Sequence, residues 1–180
     1  GMITLHQING NAADLIRSAV ENLESQGARA YVLDLRDVPG GYLSQAVEVA
    51  NLFVRNGIIV QIQTADGITN RQASGEVVTD KPLVVLVNEN TAAAAEVLAA
   101  ALQDNQRATL VGQTTLGKGS VQVIRELSFG GALRYTAAYY LSPQGHGLGV
   151  TPDFLVERQS GAADNQLSLA VETAQSSIAG

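Results

Sequence analysis

Residues 82–122 read PLVVLVNENTAAAAEVLAAALQDNQRATLVGQTTLGKGSVQ. Leu83–Val87 is a short apolar run rich in β-branched side chains and bounded by Pro82 and Asn88, which predicts a strand buried on both faces. Asn88, Glu89, Asn90 and Thr91 then predict a tight turn and a helix cap, because Asn and Thr side chains accept from the unpaired first N–H groups of a helix. The helix is expected over about residues 92–104. Its alanine-rich first turn lets other backbone approach closely and leaves amides at the positive end of the helix dipole, beside the strand exit. That is where α/β enzymes usually place a nucleophile or an oxyanion hole. Residues 108–111 predict the next strand, and a lysine between two glycines, Gly117-Lys118-Gly119, follows.

These residues resemble the carboxyl-terminal processing peptidases, or tail-specific proteases, which are serine peptidases with a lysine base. The family pattern is close to L-V-N-x-x-[ST]-A-S-A-[SA]-E-[IV], then A-x-x-x-Q-D, then T-x-G-K-G-x-x-Q. The chain matches at Leu86, Val87, Asn88, Thr91, Ala92, Ala94, Ala95, Glu96, Val97, Gln103, Asp104, Thr115, Gly117, Lys118, Gly119 and Gln122. Where the family carries its nucleophilic serine the chain has Ala93, twenty-five positions before Lys118, which is the family spacing. A methyl group cannot attack a carbonyl, so the resemblance implies a catalytic core that is inactive as written. Two origins stay open, an engineered Ser→Ala change and a natural lineage that lost the nucleophile. The retention of Lys118 and Gln122 leans towards a recent or engineered loss.

A second stretch carries the same resemblance. Residues 30–35 predict a buried strand, broken by Arg36-Asp37-Val38-Pro39-Gly40-Gly41 before a helix over residues 43–53. The family pattern there is D-L-R-x-N-[PG]-G-G, which Asp34, Leu35, Arg36, Pro39, Gly40 and Gly41 fit, while Val38 stands where Asn is usual. Paired glycines let backbone N–H groups face a ligand with no Cβ in the way. By resemblance, the amide of Gly40 or Gly41 joins that of Ala94 as the oxyanion hole, Lys118 is the general base for the missing hydroxyl, and Gln122 orients its amine. The segment from Val111 to Val123 has a single charge, so Lys118 is expected in an apolar cleft. Burial disfavours the ammonium form, as a lysine base near neutral pH requires. Glu96 and Asp104 also match, and both read as structural: Glu96 complements the helix start, and Asp104 is placed to pair with Arg107.

Composition narrows the class. The chain has 180 residues, 46% hydrophobic and 16% charged, with a net charge of −6, which fits one well-cored domain and speaks against nucleic acid or an anionic membrane surface as partner. There is no cysteine, which excludes disulfides, thiolate metal sites and a cysteine nucleophile. Neither a signal peptide nor an apolar run of the roughly 20 residues a membrane helix needs is present. The two histidines, His6 and His146, fall in different segments, which argues against a histidine-dependent triad.

The remaining pattern predicts a strand over residues 2–8, a helix over 11–26 capped by Asn11, a strand over 58–63 and a polar hairpin excursion over 64–80. Strands over 121–127 and 132–141 are joined by the turn Ser128-Phe129-Gly130-Gly131, and a last strand after Pro152-Asp153 precedes a helix over 165–177. The fold class is therefore α/β, a mostly parallel crotonase- or ClpP-like sheet of strand-helix units with a C-terminal antiparallel strand pair. Residues 1–160 are expected to form the catalytic core and 161–180 a helical tail of the same domain, with the family's PDZ domain expected upstream and absent here. The resemblance implies a polypeptide substrate bound in extended form, no metal or cofactor, room for a homo-oligomer, and an extracytoplasmic or membrane-associated setting. Two other functions compete: a natural pseudoprotease that holds peptide without cutting it, and an acyl-CoA-binding enzyme of crotonase type.

Overall fold

The computed structural model describes residues 1–159, 161 and 163–178. Along the chain run β1 (Met2–Thr4), α1 (Ala12–Ser25), β2 (Tyr31–Asp34), α2 (Leu43–Asn51), β3 (Ile58–Thr64), β4 (Gly67–Gln72) and β5 (Leu83–Val87). They continue as α3 (Ala94–Asp104), β6 (Thr109–Gly112), β7 (Ser120–Glu126), β8 (Ala132–Leu141), β9 (Phe154–Leu155) and α4 (Asn165–Ser176). The fold is α/β: a five-stranded parallel sheet ordered β1-β2-β5-β6-β9 and a four-stranded antiparallel sheet ordered β4-β3-β8-β7.

The parallel sheet is covered on both faces because its strands alternate strictly. Tyr31, Leu33, Leu83, Val85, Val87 and Leu110 share one core with α1, α2 and α3, while Val32, Val84, Leu86 and Val111 face α4 through Ala170 and Ala174. Every residue of β2 and β5 is buried, and so are all residues of α3 from Ala94 to Leu102. An all-round apolar helix belongs in an interior. Its start is held at the C-terminal ends of β2 and β5, where ligands gather in open α/β sheets.

Several expectations need correction. The expected antiparallel pair is present as β7 and β8, and it is extended through β3 to β4, an edge strand exposed at every residue. The first strand stops at Thr4, and Ile8 instead bridges Gly41. Asn11 gives α1 no side-chain cap; Gln45 Oε1 accepts from Ala13 N at 3.1 Å in its place. The expected division at residue 160, and the last two residues of the tail, lie outside the described residues. Among the described residues no helix is long and apolar enough to cross a membrane.

Candidate active site

The bend between β5 and α3 is built by side chains that pair with one another rather than with the helix. Asn88 N donates to Thr91 Oγ1 at 3.0 Å, and Thr91 Oγ1 donates to Leu35 O at 2.9 Å, so the fully buried threonine bolts the turn to the end of β2. Asn88 Oδ1 accepts from Asp37 N at 2.9 Å, and Asp37 Oδ1 accepts from Asn88 Nδ2 and Asn90 Nδ2 at 2.9 and 2.8 Å. These bonds, Asn90 first, hold the Asp37 carboxyl below the usual aspartate range. Thr91 and Asn88 therefore shape the loop and do not cap the helix, as the sequence had suggested.

Residue 93 is the N-cap, with φ 51° and ψ −117°. A non-glycine residue at positive φ is uncommon, and this ψ lies outside even the left-handed helical well. Such strain persists only where the surroundings over-determine it, and it clusters at functional sites. Here Ala93 N donates to Glu96 Oε2 at 2.9 Å, Ala93 O accepts from Glu96 N and Val97 N, and Ala92 N donates to Val38 O at 3.0 Å. Only half of a capping box exists, because alanine has no acceptor to return to Glu96. Sharp strand-to-helix bends of this kind push the side chain of the bend residue out over the helix N-terminus.

Gly40 and Gly41 arrive at that point. A Cβ on Gly40, at φ +116°, would meet Ala93 Cβ at 3.0 Å and Ala94 N at 3.4 Å, so only glycine lets this loop lie so close. Among the described residues the amides of Gly40, Gly41 and Ala94 have no acceptor. Gly40 thus lies against the residue 93 methyl, beside the unpaired amide of Ala94. The loop is anchored from behind by Arg36, whose guanidinium bonds Asp34, Asp164 and Gln166. Asp34 and then Asp164 hold it protonated more firmly than usual, against the effect of burial.

The lysine loop is joined to the same bend. Leu116 N donates to Thr91 O at 3.0 Å, and Lys118 N donates to Glu96 Oε2 at 2.7 Å. Ala93 N and Lys118 N therefore bond one and the same oxygen, which brings residues expected to work together into one small space. Three expectations are not met in this structure. Lys118 is exposed, not enclosed in an apolar cleft. Gln122 Nε2 donates across the hairpin to Thr136 Oγ1 at 2.6 Å rather than to the lysine. Asp104 does not pair with Arg107: its carboxylate accepts from Gln144 N at 3.1 Å, while Arg107 donates to the carbonyls of Phe53, Thr79 and Lys81. His6 and His146 are exposed on separate loops.

What sequence reasoning missed is the reach of Glu96, whose partners lie 19 to 22 positions downstream as well as on its own turn. The signal was a carboxylate in the first turn of a helix otherwise apolar all round. Among the described residues no group of acidic, histidine or cysteine side chains is arranged to hold a metal ion.

Comparison with known proteins agrees with this geometry. The model of Peptidase family S41 matches residues 1–156. A carboxyl-terminal-processing protease of Synechocystis is 48% identical over 162 residues, covering 88% of this chain and 38% of the relative. Carboxyl-terminal-processing peptidase 3, chloroplastic, of Arabidopsis thaliana is 42% identical over 185 residues, covering 99% and 35%. The solved photosystem II D1 C-terminal processing protease superposes with a TM-score of 0.82 at 38% identity, covering 87% of this chain and 42% of its own. The chain thus spans well under half the length of these relatives.

Proposed function

The chain belongs to Peptidase family S41, and from that premise we propose that it is the catalytic core of a carboxyl-terminal processing serine endopeptidase whose nucleophile position is filled by Ala93. The observation that carries this reading is the strained bend at residue 93, which has Gly40 packed against its methyl and is tied through one carboxylate oxygen to the Lys118 loop.

With serine at 93, its hydroxyl oxygen would bond the scissile carbonyl carbon while its proton passes to Lys118 Nζ. The amides of Gly41, or Gly40, and Ala94 would take the charge on the carbonyl oxygen. The C–N bond then breaks, Lys118 returns the proton to the leaving amine, and water repeats the sequence to free the acid. Lys118 is exposed before substrate arrives. A peptide laid over the site would withdraw its amine from water and favour the uncharged form. Among the described residues the strand that follows the lysine, β7, has no neighbour on its outer side, and an extended peptide could add there as a further strand. Gln122 would turn from Thr136 to the lysine amine in that complex.

The test restores the hydroxyl. Ala93→Ser should hydrolyse an unstructured peptide, and Lys118→Met in that background should abolish the gain. An inert Ala93→Ser protein that still binds peptide would favour the second reading, a pseudoprotease that grips peptide without cutting it, to which the methyl at 93 is the pointer. A localisation outside the cytoplasm or at a membrane, and assembly into homo-oligomers, remain proposals on the same footing.

A further inference from the structure

Glu96 is fully buried, and the mechanism just described gives it no step. Its carboxylate accepts four hydrogen bonds: Thr115 Oγ1 and Gly117 N reach Oε1, both at 2.6 Å, and Ala93 N and Lys118 N reach Oε2 at 2.9 and 2.7 Å. The three backbone amides have no other acceptor among the described residues. A buried carboxylate is costly unless its oxygens are satisfied, and here each takes two donors: Oε1 two from one loop, Oε2 one from the bend and one from that loop.

From this geometry we infer that Glu96 is a positioning residue: one carboxylate clamps the Thr115 to Lys118 loop onto the strand-to-helix bend and thereby sets the lysine against residue 93. Its consequence for turnover rests on the peptidase reading; the clamp itself does not. The two oxygens divide the work. Oε2 joins the backbone of residue 93 to that of the lysine. Oε1 holds the approach to the lysine, and Thr115 carries the hold further, because its hydroxyl also accepts from Val150 N at 2.8 Å. Leu116 N also ties the loop to the bend through Thr91 O, but among the described residues the amides of Gly117 and Lys118 themselves are held by Glu96 alone.

Glu96→Gln separates the functions, since an amide offers one acceptor and turns an N–H₂ towards donors at the other end. Either orientation strands at least one backbone amide. In the chain as it stands, amide hydrogen exchange should quicken at least about tenfold at residue 117 or at residues 93 and 118, while Leu98 and Leu102, deeper in α3, keep their protection. In the Ala93→Ser background the same change should lower kcat about 100-fold with KM held within about twofold, as a small misplacement of a catalytic group does. Should Glu96→Gln fail to fold, Thr115→Val serves: it leaves the Oε2 pair intact, so exchange should rise at 117 and 150 and not at 93.

Unchanged exchange at all three amides, or a rise spread evenly along α3, would overturn the clamp. Faster exchange with an unaltered kcat would overturn the positioning role. An inert Ala93→Ser protein would count against the peptidase reading, and the exchange data would still decide the clamp.

Discussion

Position 93 combines a side chain that can do no chemistry with a backbone shape that structural needs alone do not favour. At φ 51° and ψ −117° an alanine bears the steric penalty of its Cβ, and Glu96 and Val38 hold it there through backbone bonds. Strain of this sort is worth about 1–3 kcal/mol, while glycine loses about 0.5–1 kcal/mol of unfolded-state freedom. Ala93→Gly should therefore raise stability by up to about 2.5 kcal/mol, each kcal/mol being worth some 2–4 °C in Tm for a chain of this size. Thermal unfolding checks this, and a fall in Tm would mean that the bend is not strained for alanine. Gly41 is the opposite case. A Cβ there would lie 1.9 Å from the Ile8 carbonyl oxygen, which is backbone and accepts from Tyr42 N at 2.8 Å. Gly41→Ala should cost about 2 kcal/mol or more, because the segment after β1 must move with the Gly40–Gly41 loop; a denaturant midpoint within error of the parent would contradict it.

At the level of elements, α4 is docked by charge as well as by Ala170 and Ala174. Asp164 caps the helix by accepting from Leu167 N at 3.0 Å and pairs with Arg36 at 2.8 Å. Burial alone would raise its pKa, but the Leu167 amide and Arg36 outweigh burial and leave it low, as the two asparagines do for Asp37. Carboxyls whose folded pKa is depressed contribute stability above the unfolded value, about 3.9, and lose it as pH falls through the folded one. Tm should thus drop below about pH 4, and Asp164→Asn, which keeps a capping oxygen, should lessen that drop. An unchanged acid limb would remove Asp164 from the account. These elements were unevenly legible. Leu83–Val87 and Ala132–Leu141 were read to the residue, since turn formers bound both. The strand β4 was not separated from its loop because Gly67–Gln72 has no buried residue, so pairing with β3 alone makes it a strand. Ala93, Gly40, Gly41, Glu96 and Lys118 stand out through their motifs. The reach of Glu96 was not legible, because three of its four donors come from another loop, and the exposure of Lys118 was not, because low charge in a segment does not enclose it.

Across the whole molecule burial is lopsided. The parallel sheet is sealed between α4 and the three other helices, whereas β7 and β8 run out from it with Ile124, Phe129, Leu133, Tyr135 and Tyr139 exposed. Phe129 at the hairpin turn is 84% exposed, so Phe129→Ser should change stability by less than about 0.5 kcal/mol. Leu98→Ala, at a fully buried position, should cost about 2–5 kcal/mol. The same contrast orders local opening: amides in β2, β5 and α3 should exchange only through global unfolding, and those at the far end of the β7–β8 hairpin through cheap local fraying. The gradient bears on function because β7 leads directly from the lysine loop and carries the free edge. If peptide adds to that edge, its backbone bonds must suppress the fraying, so exchange in β7 and β8 should slow on adding an unstructured peptide to the Ala93 chain. The protection should be strongest near Ser120 and fade towards Glu126, since the near end adjoins the bend. Protection confined to β4, the other open edge, would move the binding groove to the opposite side of the antiparallel sheet and part it from residue 93.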